Sequence, residues 1–182
     1  HIKHVTGRKT DVKDAQWIAE LLQPGLWAAS YIPEVGQRDL RDLTRYRRHL
    51  IQEHSREVNR VHKVLQDANL KLSSVATDIM GLSGRAMLAE LSAGGENPVA
   101  LAQLAQGRMR AKLEQLEQAL TGKMRDTHRW LLRMHLDHID ELNRKVAQLD
   151  EEISRRIRVY DQNHLIERLD EIPGVGHRLE AP

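Results

Sequence analysis

Three groups of residues in this chain have the types and spacing for chemistry. Asp11 and Asp14 stand three apart in Lys9-Thr10-Asp11-Val12-Lys13-Asp14-Ala15. At the start of a helix two such carboxylates lie on one face, a turn apart, and can point at one site. Hard divalent cations such as Mg²⁺ take carboxylate oxygens together with water and phosphate, so the pair could supply part of a two-metal nuclease centre. Lys9 and Lys13 alongside suit a phosphate backbone. The plainer alternative makes Asp11 an N-cap and Asp14 an acid favoured by the helix dipole, a common arrangement in first turns.

The second group is cationic. Arg41, Arg45 and Arg48 recur at four and three residues, and so do Arg56, Arg60 and Lys63, so each trio forms a helical stripe that could lie along phosphates. Residues 38–72 hold nine Arg and Lys against five Asp and Glu in a chain whose net charge is only +2. This permits a polyanion on one face. A solvated face balanced by its neighbouring acids is the competing reading. Tyr46 is the sole aromatic here, so base stacking is not indicated.

The third group is Leu169-x-x-Ile172-Pro173-Gly174-Val175-Gly176, which matches the hairpin of a helix-hairpin-helix element. Gly174 and Gly176 would let backbone amides approach a phosphate, but an ordinary Pro-Gly helix end accounts for it equally well. His135 and His138, with Asp137 and His128 nearby, can be drawn as a metal site. Without Cys or a Glu-flanked His pair they read more simply as exposed or seam-edge imidazoles.

The elements that must position these groups are helical. Thr10-Asp11, then Ala15, Ile18, Ala19 and Leu22 before Pro24-Gly25, predict a short capped helix. Apolar residues at Leu40, Leu43, Leu50, Val58, Val61, Leu65, Ala68 and Leu72, interrupted by Arg47 and His54, predict one long amphipathic helix over 37–72. A short helix is expected from Ser73 or Ser74 to Gly81, and another over 84–91. Gly94-Gly95-Glu96-Asn97-Pro98 is the strongest break in the chain. A helix over 98–106 should follow, then one from beyond Gly107 through Leu113, Leu116, Leu120 and Met124. From His128 the seam Leu132, Leu136, Ile139, Leu142, Val146, Leu149 and Ile153 steps by threes and fours and predicts antiparallel packing or a coiled coil. Its stripe needs a bundle partner or a second chain to cover it.

Composition agrees. The 182 residues include three Trp, three Tyr, no Phe and no Cys. An aromatic-poor chain predicts an all-α, Leu/Ala/Val-packed, elongated helical bundle with a coiled-coil segment. The lack of Cys fits a reducing compartment, so a cytoplasmic protein is expected. No run of apolar residues is long enough for a membrane span. The chain starts without Met and ends beside a Gly-rich turn, which suggests a piece of a longer protein.

The residues Gly7-Arg-Lys-Thr-Asp11-Val-Lys-Asp14-Ala-Gln-Trp-Ile-Ala-Glu-Leu-Leu22, Leu40-Arg-Asp-Leu-Thr-Arg-Tyr-Arg-Arg48, Asp67-Ala-Asn-Leu-Lys-Leu-Ser-Ser-Val-Ala-Thr-Asp78, Ser83-Gly-Arg-Ala-Met-Leu88 and Ile172-Pro-Gly-Val-Gly176 resemble the DEDD-type transposases of bacterial insertion sequences, the IS-one-ten/IS-eleven-eleven group. The resemblance covers essentially the whole chain. It implies that Asp11 and Asp14 are the last two acids of a four-carboxylate, RuvC-like, Mg²⁺-binding site, whose first two acids precede His1. It divides the chain into the end of a catalytic domain (1–33), a long helix and linker region (34–108), dimerisation helices (109–171) and the start of a C-terminal transposase domain (172–182), with a proposed nucleophilic Ser beyond Pro182. DNA, a structured guide RNA and a second copy of the chain are the implied partners. A fragment with half of one acid site is expected to bind nucleic acid and self-associate without cutting DNA. A non-catalytic helical scaffold or oligomerisation module is the alternative.

Overall fold

A computed structural model of the chain describes residues 11–22 and 32–160, apart from the side chains of Asp11, Lys13, Asp14, Leu21, Leu22 and Tyr160. These residues are all-α, with no strand among them. By compactness the chain separates into His1–Gln37 and Arg38–Pro182. In the first unit, α1 spans Asp11–Leu22. It starts at the acid the sequence marks as its N-cap.

The second unit is built on two long helices. α2 spans Val35–Asp67 and α6 spans Asp126–Tyr160. Between them in sequence come α3 (Leu82–Ala93), α4 (Pro98–Ala102) and α5 (Leu113–Ala119), with short 3₁₀ segments at Leu72–Ser74 and Gly107–Lys112. α2 stops five residues short of the expected end at residue 72. Asn69 takes a left-handed conformation at φ 57°. Its N–H donates to Gln66 O at 2.9 Å and that of Leu70 to Leu65 O at 2.8 Å, which closes the helix with a Schellman motif. α3 ends the same way, with Gly94 at φ 113° and the Gly95 N–H donating to Glu90 O at 2.9 Å.

Other boundaries differ from expectation for equally local reasons. The helix expected over 73–81 is only the 3₁₀ turn Leu72–Ser74. α3 starts two residues before Gly84 because Gly84 lies within it, packed so closely that a Cβ there would sit 2.4 Å from Ile79 O. The helix expected over 98–106 closes at Ala102, although its start is as read: the Asn97 side chain accepts from Val99 N and Ala100 N, and Pro98 follows it. Gly107, at φ 55°, opens a 3₁₀ turn instead of a plain gap. α5 ends at Ala119, before the expected Leu120 and Met124. Gly122 then tucks against the end of α2, where a Cβ would meet Ala68 O at 2.5 Å.

One aliphatic core joins these pieces. Val61, Val64 and Leu65 from α2, Met87, Leu88 and Leu91 from α3, Leu101 and Leu116 from α4 and α5, and Leu132, Leu136 and Ile139 from α6 are all buried in it. Each such side chain contributes about 1.5–3 kcal/mol on removal from water. Among the described residues no aromatic belongs to the core; Trp130 and Tyr46 are 60% and 52% exposed.

Polar contacts fix how α6 lies against its neighbours. Arg85 near the start of α3 pairs with Asp140, whereas Arg129 and Arg133 donate to Leu91 O and Ser92 O at the other end of α3. The two helices therefore run antiparallel, and α6 guanidiniums satisfy carbonyls that the C-terminus of α3 leaves open. α2 is also antiparallel to α6: Asp39 pairs with Arg156, Arg47 with Asp150, and Glu57 with His135 and His138. The seam expected to need a partner finds much of its cover within the chain. Leu132, Leu136, Ile139, Leu142 and Ile153 are buried, and Val146 and Leu149 are half-buried.

Candidate nucleic-acid interface

α2 presents different chemistry on its two sides. At about 100° per residue, Arg41, Arg45, Arg48, Arg56, Arg60 and Lys63 fall within an arc of about 120°. Leu50, Val61 and Leu65 lie roughly opposite and are buried. All six cations are exposed. At 1.5 Å rise per residue the stripe from Arg41 to Lys63 is about 33 Å long. The sequence-predicted trios thus join into a single face.

Few acids neutralise this face. Arg45 lies 4.0 Å from Asp42, and both side chains are more than two-thirds exposed, so the pair is weak. Arg60 is held by Glu57. Among the described residues, Arg41, Arg48, Arg56 and Lys63 have no carboxylate within ion-pair distance. Arg47, one position from Arg48, turns the other way and makes a two-point contact with Asp150, with Nη2 3.2 Å from Oδ2. The hydrogen bond from Asp150 raises the guanidinium pKa despite partial burial. Arg47 therefore belongs to the fold and not to the stripe, as its place in the seam suggested.

Glu57 is the functional-looking residue that the sequence reading did not single out. It is a 3% exposed carboxylate at the α2–α6 contact. His135 Nδ1 lies 2.8 Å from its Oε2, while His138 Nδ1, at 3.2 Å, and Arg60 share Oε1. Burial pushes the carboxyl pKa up, but the hydrogen bond from His135 and the charges of Arg60, His135 and His138 outweigh it and hold the group below the usual glutamate range. The signal was present in the spacing: Leu50, His54, Glu57 and Val61 step by four, three and four, which puts an acid on the inward seam.

The histidines do not assemble as a metal site. His128 is buried at the start of α6, where its ring contacts Arg125, while His135 and His138 face Glu57. Among the described residues no group of three or more His, Cys, Asp or Glu is arranged to hold a metal. Asp11 and Asp14 both fall in the first turn of α1. Their side chains and that of Lys13 lie outside the described residues, as do Lys9 and the hairpin glycines Gly174 and Gly176. No described helix is long and apolar enough to cross a membrane.

Residues 1–70 match the family model of the IS110-type DEDD transposases, whose description is "Transposase". No curated protein and no solved structure matches the chain significantly. The matched span holds Asp11 and Asp14 of α1 and the six cations of the α2 stripe, and over these residues the chain is similar to the transposases of the IS110-type DEDD family.

Proposed function

We propose that the outward face of α2 is a phosphate-binding surface of a DNA transposase, and that Asp11 and Asp14 contribute to the divalent-metal strand-transfer centre of the same protein. The observation that carries this reading is the separation of faces. Exposed acids stand on this helix too, but in the stripe only Arg45 and Arg60 pair with one, four cations have no carboxylate within ion-pair distance among the described residues, and Arg47, paired with Asp150, turns inward. Such a surface would hold backbones; Tyr46 is the one exposed aromatic on α2, so base stacking is not indicated.

The donor set at the start of α1 suits Mg²⁺, since two carboxylates supply hard oxygen ligands and leave positions for water and phosphate. When bound, the ion would polarise a phosphodiester and activate the attacking oxygen. Asp11 and Asp14 would hold it, and Lys9 and Lys13 would neutralise the approaching backbone. The remaining acids of the site, a structured RNA and a second copy of the chain complete this reading for the whole protein, with Gly174 and Gly176 as a further phosphate contact.

Low-salt titration of the chain with a DNA duplex and with a folded RNA tests the surface. Binding that weakens steeply with salt supports it. A chain that binds neither is a helical scaffold. Light scattering reads self-association: a species of twice 20.9 kDa is expected at high concentration, and a monomer throughout removes the dimer from the proposal.

A further inference from the structure

Glu57 links the interior of the bundle to its cationic face. The carboxylate brings one negative charge and is in contact with three groups that can be positive. Arg60 is always charged, while His135 and His138 are charged only when protonated. Among the described residues these are the charged and titratable groups facing it, Arg60 from its own helix and the two histidines from α6. Arg60 has the most exposed side chain of the three, at 58% against 20% and 50%. It also shares Oε1 with His138.

From this arrangement the geometry points to a proton-operated release of Arg60: protonated His135 and His138 take over the Glu57 carboxylate and free Arg60 for a phosphate backbone. When both imidazoles are neutral, Glu57 retains Arg60 and the stripe has one cation fewer. When both are protonated, three positive charges surround one negative, and the most exposed and flexible of them leaves at least cost. By linkage, a polyanion that captures Arg60 favours protonation of the two imidazoles in return. The inference rests on the phosphate-binding reading of α2, but the release itself is a property of the free chain.

The test measures the contribution of Arg60 as a function of pH. His49, His54 and His62 also lie on α2 and add charge on acidification, so the pH dependence of binding by itself decides nothing. The informative quantity is the change caused by Arg60→Ala in the salt slope for a short DNA duplex of mixed sequence. In the unaltered chain it should lower the slope by about 1 at pH 6 and by close to zero at pH 8. With Glu57→Gln in place, Arg60 is free throughout and the loss should be about 1 at both pH values. With His135→Gln and His138→Gln together, it should be near zero at both. The same loss at pH 6 and pH 8 in the unaltered chain overturns the proposal.

A second readout separates this from the nucleic-acid reading and needs no DNA. The Arg60 Nε–H resonance of the free chain should shift as the imidazoles titrate, and should stop doing so in the double histidine variant. A chain that binds no duplex but shows this shift refutes the surface and keeps the release. A resonance that does not move with the imidazoles refutes the release.

Discussion

The two halves of α2 turn toward the rest of the chain with different chemistry. From Val58 to Ala68 the inward positions are Val, Leu and Ala, and they enter the aliphatic core shared by α3, α4, α5 and α6. From Asp39 to His54 the inward side keeps Leu50 buried but also holds Arg47, and its fixed contacts to α6 are the pairs Arg47–Asp150 and Asp39–Arg156. Apolar burial is strong and non-directional, whereas a paired charge is weak and demanding in geometry. The first half therefore supplies stability, and the second sets how α2 is registered and rotated against α6. That rotation turns the six cations outward.

The largest effect should come from the core that the apolar half of α2 enters. Leu136→Ala removes a fully packed side chain and should cost about 2–5 kcal/mol in chemical denaturation. Gly84→Ala is expected to follow, at about 1–3 kcal/mol, because its new Cβ meets the Ile79 carbonyl, which cannot give way as a side-chain end would. If either variant melts like the parent, the core is not where stability lies and the contrast between the halves fails.

Glu57 stands at the boundary of the halves, and its effect is expected to depend on pH. Its carboxyl is held below the ordinary value, so its stabilising contribution is complete above the unfolded glutamate pKa of about 4.3. It is lost as the pH falls through that value and past the lowered folded one. Glu57→Gln should cost about 1–3 kcal/mol at neutral pH and progressively less in acid. Stability curves of the two chains that stay parallel down to pH 3 would show the carboxylate to be uninvolved.

Arg47→Ala should be the mildest, at about 1 kcal/mol or less, because the pair is partly exposed and solvent screens it. A fall as large as that of Leu136→Ala would mean that the polar half also carries the fold.

Much of this contrast is legible in the sequence. The strict seam in 139–153, the interruption at Arg47 and the basic trios all follow from helical spacing, and the structure places each on the face its register demands. The helix ends were less legible. Asn69 ends α2 because an asparagine tolerates the left-handed conformation a Schellman motif requires, yet the apolar spacing runs on unbroken through Leu72. Glu57 was hidden for another reason. A carboxylate within a run of charges looks solvated until the partner helix is known, and that partner lies 78 residues away at His135. The pairing of α2 with α6 is a long-range fact that no local window contains. The proposed role of Asp11 and Asp14 rests on the family likeness, because their spacing alone would have left them as the first turn of a helix.

One paired measurement tests the central claim that α2 binds a polyanion with one side and holds the fold with the other. The triple change Arg41→Ala, Arg45→Ala and Arg48→Ala and the single change Arg47→Ala are each followed by thermal melting and by the salt dependence of duplex DNA binding. The triple variant should keep the parent's melting temperature and lose about 3 from the salt slope, while Arg47→Ala should lower the melting temperature and leave the slope unchanged. A triple variant with the parent's salt slope, or an Arg47 variant that loses as much slope as one of the stripe arginines, would contradict the division of the helix into two faces.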